Sequence, residues 1–340
     1  MQSPLSFTIA ESSQVGQARR TAISFAAALG FDEIKQGVLA LIVTEVANNM
    51  VRHASEGELF LRVLEAEGNT GIELTAVDKG PGMASVSQSM QDGHSTAGTA
   101  GNGMGAMARL SDRFEVYSIV GEGTVVVCEL WAKPAFSLPT ALPMEIGAIN
   151  RPKPGQEVCG DFWGVAFRPN RALFFLADGL GHGPDAGIAS QEAVRAFRKH
   201  AAHRPKEVME AVHLALQGSR GTRGVAAALA EIDFKTQQVV FAGVGNVAGT
   251  VFTPTQSHNM VSHNGIVGHQ VRKVQEFDYP WTPQSLLILH SDGLSQRWQL
   301  ERYPGLTVRH PSLIAGVLYR DFQRQNDDAT VLVGRMKRDP

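Results

Sequence analysis

Acidic residues stand beside glycine or in pairs at four points from position 161 onward: Asp161 in GDFW, Asp178 in ADGLGHG, Asp292 in HSDGLS, and the pair Asp327 and Asp328 in NDDATVLV. Apolar runs such as LFFLA and LLILHS precede two of them, so a rigid strand would hold the carboxylate and aim it into a cleft. Carboxylates collected this way repel one another unless a cation sits between them, and hard oxygen donors favour Mg²⁺ or Mn²⁺. Glycine after aspartate lets the backbone turn and brings a carbonyl toward the same ion. Asp-Gly is also a common turn dipeptide, so one alone reads as a turn. Four in this order and context ask for more.

A second set lies in the first half. EVANNMVRHA, Glu45 to Ala54, continues the apolar run VLALIV. At about 100° per residue, Glu45, Asn49 and Arg52 share one stripe of a helix and Leu39, Val43, Val46, Met50 and Ala54 another. Asparagine competes for backbone hydrogen bonds, so Asn48 and Asn49 in mid-helix cost stability unless they are used or solvated. A solvated face explains the stripe as well as a ligand does when the helix is taken alone. Downstream come DKGPGM, Asp78 to Met83, after the strand-like IELTAV, and GNGMGAM, Gly101 to Met107, opening a helix. The second puts glycine-rich backbone at a helix N-terminus, where free N–H groups and the dipole favour phosphate. It is not a Walker A loop, because no Lys-Ser/Thr follows the glycines. Arg52 and His53 suit the C-terminal end of the helix dipole.

The elements that must position these residues read as two domains. At 340 residues, 43% hydrophobic and 19% charged, the chain is an ordinary globular one with room for two cores. A formal net charge of −2 gives no electrostatic reason to expect nucleic acid or an anionic membrane. Cys128 and Cys159 make no disulfide framework and lack metal-site spacing, which points to a reducing, cytoplasmic setting. The start, MQSPLSFTIAESSQ, has no basic n-region or long apolar h-region, and no apolar run approaches a membrane span. LSFTIA alternates as a strand, SQVGQARRTAISFAAAL has helical period, and GELFLRVLEAEGNTGIELTAVDKG reads as two strands about a turn. Prolines at 134, 139, 143, 152 and 154 mark the boundary. Beyond it, CGDFWGVAFRPNRALFFLADGLGHG forms a hairpin about RPN, followed by helical sequence from about Ala186 to Leu216, a further helix near Thr222, and four returning strand segments. This is an α+β layer pattern.

The ordered segments GDFW, ADGLGHGPDAG, LLILHSDGL and NDDATVLV resemble metal-dependent PPM serine/threonine phosphatases of the bacterial SpoIIE-like branch, over about residues 145 to 336. That resemblance implies an α-β-β-α sandwich holding two metal ions bridged by a hydroxide that attacks phosphorus in line. It assigns Asp178 as the bridging, catalytic ligand and the Gly179 carbonyl to one ion. Asp292 and either Asp327 or Asp328 would complete the other site, with Asp161 acting directly or through water. Many relatives carry a further acid where this chain has Gly164, which puts an accessory metal in doubt, and His182 reads as a residue that packs or supports a ligand more than as a catalytic acid.

Residues 5 to 131, through EVANNMVRHA, DKGPGM and GNGMGAMARLSDRFEVYS, resemble the Bergerat-type (GHKL) ATP-binding fold, and most of all the small anti-sigma-factor serine kinases. The implied fold is an α/β sandwich, a mixed sheet with helices on one face. By resemblance, Asn49 would ligate Mg²⁺ on ATP and Glu45 would orient or deprotonate the attacking hydroxyl. Asp78 would accept from the adenine amino group, Gly80 and Gly82 would admit the base, Gly101, Gly103 and Gly105 would cradle phosphates, and Thr124 would sit by the adenine. The expectation is therefore a kinase-like domain at 1–133, a Pro-rich linker at 134–144 and a phosphatase at 145–340. By analogy the substrate is a STAS-domain anti-sigma-factor antagonist or a similar phosphoprotein, with a sigma factor as a further partner. Relatives also imply a homodimer. The alternative is a phosphatase governed by a catalytically silent first domain that senses ATP or binds the sigma factor or its antagonist.

Overall fold

In the computed structural model, which describes residues 4–54, 56–66, 68–90, 103–133, 143–218, 223–271 and 273–337, strand alternation decides which side of each sheet becomes core. Two compact units result: Met1–Ala141 with Val308–Arg320, and Leu142–Thr307 with Asp321–Pro340. The proline-rich segment expected as a linker falls largely in 134–142, outside the described residues.

The first unit holds β1 (Leu5–Ile9), α1 (Ser12–Ala28), α2 (Glu33–His53), β2 (Gly57–Ala66), β3 (Asn69–Asp78), the short α3 (Val86–Ser89), α4 (Gly103–Leu110), β4 (Arg113–Ile119) and β5 (Gly123–Trp131). The strand order is β1-β2-β3-β5-β4. The α+β class is as expected, but the sheet is not mixed: every pairing in it is antiparallel, because each neighbour folds back through a turn or a helix. Leu59, Leu61, Ile72, Leu74, Val126 and Cys128 point to one face and pack with α1, α2 and α4. The alternate residues line the other face, and there the helix Pro311–Phe322 clusters with this unit through Arg320. A Cβ on Gly316 would come 2.6 Å from Val125. Tyr319 meets Phe60 edge-on at 5.3 Å and its hydroxyl donates to Glu58 at 2.6 Å. The Ser312 hydroxyl donates to Glu73 at 2.7 Å, and Glu73 also takes two hydrogen bonds from Arg62 at 2.6 and 2.8 Å. Residues 308–320, which the sequence division placed in 145–340, thus pack with the first unit, and the sheet expected to have helices on one face has them on both.

The second unit is built on two sheets. Its elements are β6 (Met144–Arg151), β7 (Asp161–Arg168), β8 (Arg171–Gly179), α5 (Pro184–His200), α6 (Pro205–Gly218), β9 (Val225–Asp233), β10 (Gln238–Val244), β11 (Ala248–Phe252), β12 (Ser257–Met260), β13 (Ser262–His263), β14 (Phe277–Pro280), β15 (Leu286–His290) and β16 (Ala329–Met336). One sheet runs β13-β10-β9-β8-β7, with β14 also on β10; the other runs β12-β11-β15-β16-β6. On β8, Leu173, Phe175 and Ala177 pack with α5 and α6, while Ala172, Phe174 and Leu176 fill the space between the sheets. The expected hairpin about RPN is present, its turn carried by Asn170 at φ 60°. Thr222, near which a further helix was expected, lies outside the described residues, and the chain is strand from Val225. Among the described residues no helix is long and apolar enough to cross a membrane.

Candidate active sites

In the second unit, antiparallel register sets Asp161, the first residue of β7, directly opposite Asp178 near the end of β8. Directly opposed side chains have Cβ atoms about 5 Å apart, so two carboxylates face each other at one sheet end. Gly179 follows, and a Cβ there would come 2.2 Å from the Ala186 carbonyl; glycine at this position lets α5 press against the strand. From the other sheet, Asp292 leaves the end of β15 in a turn whose Gly293 would, as alanine, meet the Asp328 carbonyl at 1.9 Å. Ser291 and Thr330 tie the two segments: Ser291 N donates to the Thr330 carbonyl at 3.1 Å and Thr330 N to the Ser291 hydroxyl at 2.9 Å.

Electrostatics mark these aspartates as one cluster. Burial, then the charges of Asp161, Asp292, Asp327 and Asp328, push Asp178 up to about 10. Burial is also the main cause that lifts Asp161 to about 7, opposed by the nearby hydroxyls of Ser291 and Thr330 and aided by Asp328 and Asp292. Those hydroxyls are close without being aligned, since both Asp161 oxygens are buried with no hydrogen-bond partner. Asp292 is raised by burial and by Asp327. Of the pair Asp327 and Asp328, Asp328 is buried, its Oδ1 accepting from Lys153 N at 2.8 Å and its Oδ2 without a hydrogen-bond partner, while half-buried Asp327 accepts from Asp328 N at 3.0 Å; the charges of both act on Asp178. Orphaned, inward-facing carboxylate oxygens in a set of mutually repelling acids fit divalent cations, and nothing in the donor set argues against them.

Sequence reasoning passed over two residues here. Asn246, after β10, donates its side-chain amide to Asp292 Oδ2 at 2.5 Å, and Lys153 lends its backbone from a stretch read only as proline-rich. The GVGN turn facing LILHSDG was the available clue to the first; a backbone donor leaves no clue of side-chain type. His182 is exposed.

In the first unit, α2 carries the polar stripe along the site. Asp32 caps it, accepting from Lys35 N at 2.7 Å. Glu45 Oε2 lies 2.8 Å from where a Cβ on Gly103 would stand, which puts this carboxylate at the first turn of α4. At the other end of α2, the His53 carbonyl and Asp78 Oδ1 each lie 2.9 Å from a Cβ built on Gly80. Eight residues of helix separate Glu45 from His53, about 12 Å along the axis, so one side of α2 spans from the glycine-opened helix to the Asp78 loop. Asn49 lies midway and half-buried.

Asp78 Oδ1 accepts from Gly80 N at 2.8 Å, and burial holds its carboxyl above the usual range. Thr124 is its register partner on β5 and hydrogen-bonds with Ser118 at 3.0 Å. Gly82, at φ 68°, would place a Cβ 2.1 Å from the Ile119 carbonyl, so only glycine lets the DKGPG loop lie against β4. Gly105 is buried inside α4. Gly101 lies outside the described residues. An aspartate backed by a close-packed glycine loop fits a purine amino group, and the free N–H groups at a glycine helix start fit a phosphate end.

Comparison with known proteins finds two matched segments, the second of which includes residues 308–320. Residues 168–337 match the family described as Stage II sporulation protein E (SpoIIE), and residues 8–129 match the histidine kinase-like ATPase domain. Over 116 residues, 34% of this chain and 87% of the relative, the chain is 32% identical to serine/threonine-protein kinase RsbT of Bacillus subtilis (strain 168). Over 188 residues, 54% of this chain and 90% of the relative, it is 25% identical to phosphoserine phosphatase RsbX of the same organism. A solved chain described under the bacterial stressosome, a modular system adapted to control secondary messenger signalling, shares the fold at a TM-score of 0.53 and 24% identity, over 56% of this chain and 99% of that one.

Proposed function

Because the chain belongs to the SpoIIE family of PPM-type serine/threonine phosphatases, and through its first unit to the family of the kinase RsbT, we propose that it is a bifunctional partner-switching regulator. The second unit removes phosphate from serine or threonine of a regulatory protein and the first adds it from ATP. The observation that carries the reading is the buried aspartate cluster, whose ionised state is stable only with cations among it.

Two divalent cations, Mg²⁺ or Mn²⁺, would supply Lewis acidity and an activated water there. Asp178 and Asp161 hold them from the β7–β8 hairpin, with the Gly179 carbonyl beside Asp178. Asp292 and Asp327 hold them from the other sheet. Asn246 fixes the orientation of Asp292, and Asp328, tied to Lys153 N, shapes the turn that presents Asp327. In the first unit Asp78 recognises adenine, Asn49 holds the Mg²⁺ of ATP and Glu45 receives the proton of the acceptor hydroxyl. A STAS-type antagonist of an anti-sigma factor is the proposed substrate of both reactions, by analogy with partner switching by RsbT-like and RsbX-like proteins.

The test uses the whole chain. With Mn²⁺ it should hydrolyse a phosphomonoester, and Asp178→Asn should abolish this while near-ultraviolet circular dichroism stays unchanged; undiminished hydrolysis would sink the cluster assignment. In the Asp178→Asn background, radiolabelled ATP should label a purified STAS protein. Glu45→Gln should keep ATP binding and lose labelling, and Asn49→Ala should lose both. ATP binding without labelling in any background would favour the silent sensor.

A further inference from the structure

Beside Asp292 the second unit carries a cleft of about 680 Å³ that the proposed chemistry does not use. It begins at Asn246, the residue that donates to Asp292, follows β11 and β12, and is faced by residues 296–301. Its far wall is fastened to the strand bearing Asp292: Trp298 Nε1 donates to Nε2 of the buried His290 at 3.3 Å, and the other ring nitrogen of His290 bonds the Ser291 carbonyl at 2.9 Å. His290 is therefore a tether between cleft wall and carboxylate, which gives the cleft a fixed position relative to the reaction centre.

The lining is mostly polar and largely uncharged. Asn246, Asn259, Gln296 and Gln299 each offer an amide, which both donates and accepts. The Thr250 hydroxyl donates to Asn259 Oδ1 at 3.1 Å, so the amide nitrogen of Asn259 is the end left to donate into the cleft. Arg297 and Glu301 contribute one charge of each sign. Side-chain amides on a tethered wall suit peptide groups better than they suit an ionic or an apolar ligand. The volume is that of a pocket for a drug-sized molecule, enough for a few residues of chain. A phosphate ester without a polypeptide would reach Asp292 and leave the cleft empty.

We propose that this cleft receives the polypeptide backbone flanking the phosphorylated residue of the protein substrate, so that it sets preference for phosphoproteins over small phosphate esters. The proposal rests on the phosphatase reading above. Asn246 is then the junction: one side of its amide orients Asp292 and its backbone opens the cleft. Residues along β12 and 296–301 are specificity residues that touch substrate remote from the reacting phosphorus, and their contribution falls on KM for long substrates.

The experiment compares p-nitrophenyl phosphate with a panel of ten-residue phosphoserine peptides, using the full chain with Mn²⁺. Ser257→Trp fills the cleft from β12 and Gln299→Trp from the opposite wall; both sites are exposed, so folding should survive, as a thermal melt will report. The expected result is at least a tenfold fall in kcat/KM for the peptides, carried by KM, with p-nitrophenyl phosphate within twofold of the parent. Equal losses on both substrates, or unchanged peptide hydrolysis in both variants, would overturn the cleft assignment while leaving the phosphatase reading intact. A parent that hydrolyses neither substrate would overturn both, and so is told apart.

Discussion

Replacing Asp178 by asparagine should make the metal-free protein more stable while removing its phosphatase activity. The carboxyl of Asp178 is pushed to about 10 in the folded chain against 3.8 for an ordinary aspartate. At about pH 7.5 the folded protein must therefore keep a proton that the unfolded chain releases, a cost of about 1.4 kcal/mol per unit, or about 5 kcal/mol as a ceiling. Sharing of protons among the coupled aspartates and entry of water reduce this, and about 1–3 kcal/mol is the expected gain on removing the ionisable group. For a unit of this size that is about 3–10 °C in Tm. The assay is differential scanning calorimetry in a chelator and again with excess Mn²⁺. The parent should be the less stable protein in chelator and should recover most of the difference with Mn²⁺, by mass action on the folded state. A variant that melts lower than the parent in chelator, or that gains as much from Mn²⁺ as the parent does, would refute the claim that the cluster is held apart by its own charge.

The same cluster predicts a pH profile. Asp161 has a folded value of about 7, above 3.8, so the stability it contributes is complete below about pH 4 and is lost as pH rises through about 7. Melting of the chelated parent should decline over that window; a flat profile would contradict it. Gly82→Ala should cost about 1–3 kcal/mol in chemical denaturation, because φ 68° and the Ile119 carbonyl at 2.1 Å both oppose a side chain, and it should weaken ATP binding along with stability. Ser312→Ala should cost about 1–3 kcal/mol by leaving Glu73 short of a donor, with no effect on the KM for p-nitrophenyl phosphate.

What could be read from the sequence was what is local or periodic. The β7–β8 hairpin announces itself because RPN stands between two alternating runs, and pairing then puts Asp161 on Asp178 without further information. The helix α2 was legible from its period, and Glu45 and Asn49 from the polar stripe. The antiparallel character of the first sheet was not legible, since alternation states which face is buried and says nothing of the direction of a neighbour. Asn246 was hidden because an amide at a turn is ordinary until the partner, 46 residues on, is known to be Asp292. Lys153 was hidden because it acts through its backbone. Between Asp327 and Asp328 the sequence had no preference, because adjacent aspartates at a strand start differ only in which way the turn points them.

The helix Pro311–Phe322 is the largest departure, and it has a consequence for dissection of the chain. Its sequence, PSLIAGVLYRDF, is buried almost all round, so it reads as core with no indication of whose core. In the structure its residues up to Arg320 cluster with the first unit, 239 positions from Glu73 at the Ser312 contact. A fragment ending at residue 133 would therefore expose Phe60, Thr75 and Val125, all under 5% exposed in the whole chain, and would leave the Arg62–Glu73 pair facing water. Each large apolar side chain uncovered forfeits about 1.5–3 kcal/mol, and an open apolar sheet face favours self-association. The fragment should bind a hydrophobic dye and sediment above monomer mass, and a synthetic peptide of residues 308–322 added in trans should raise its Tm. A monomeric fragment, as stable as the first transition of the full chain and indifferent to the peptide, would mean that this helix is not part of the first unit's core.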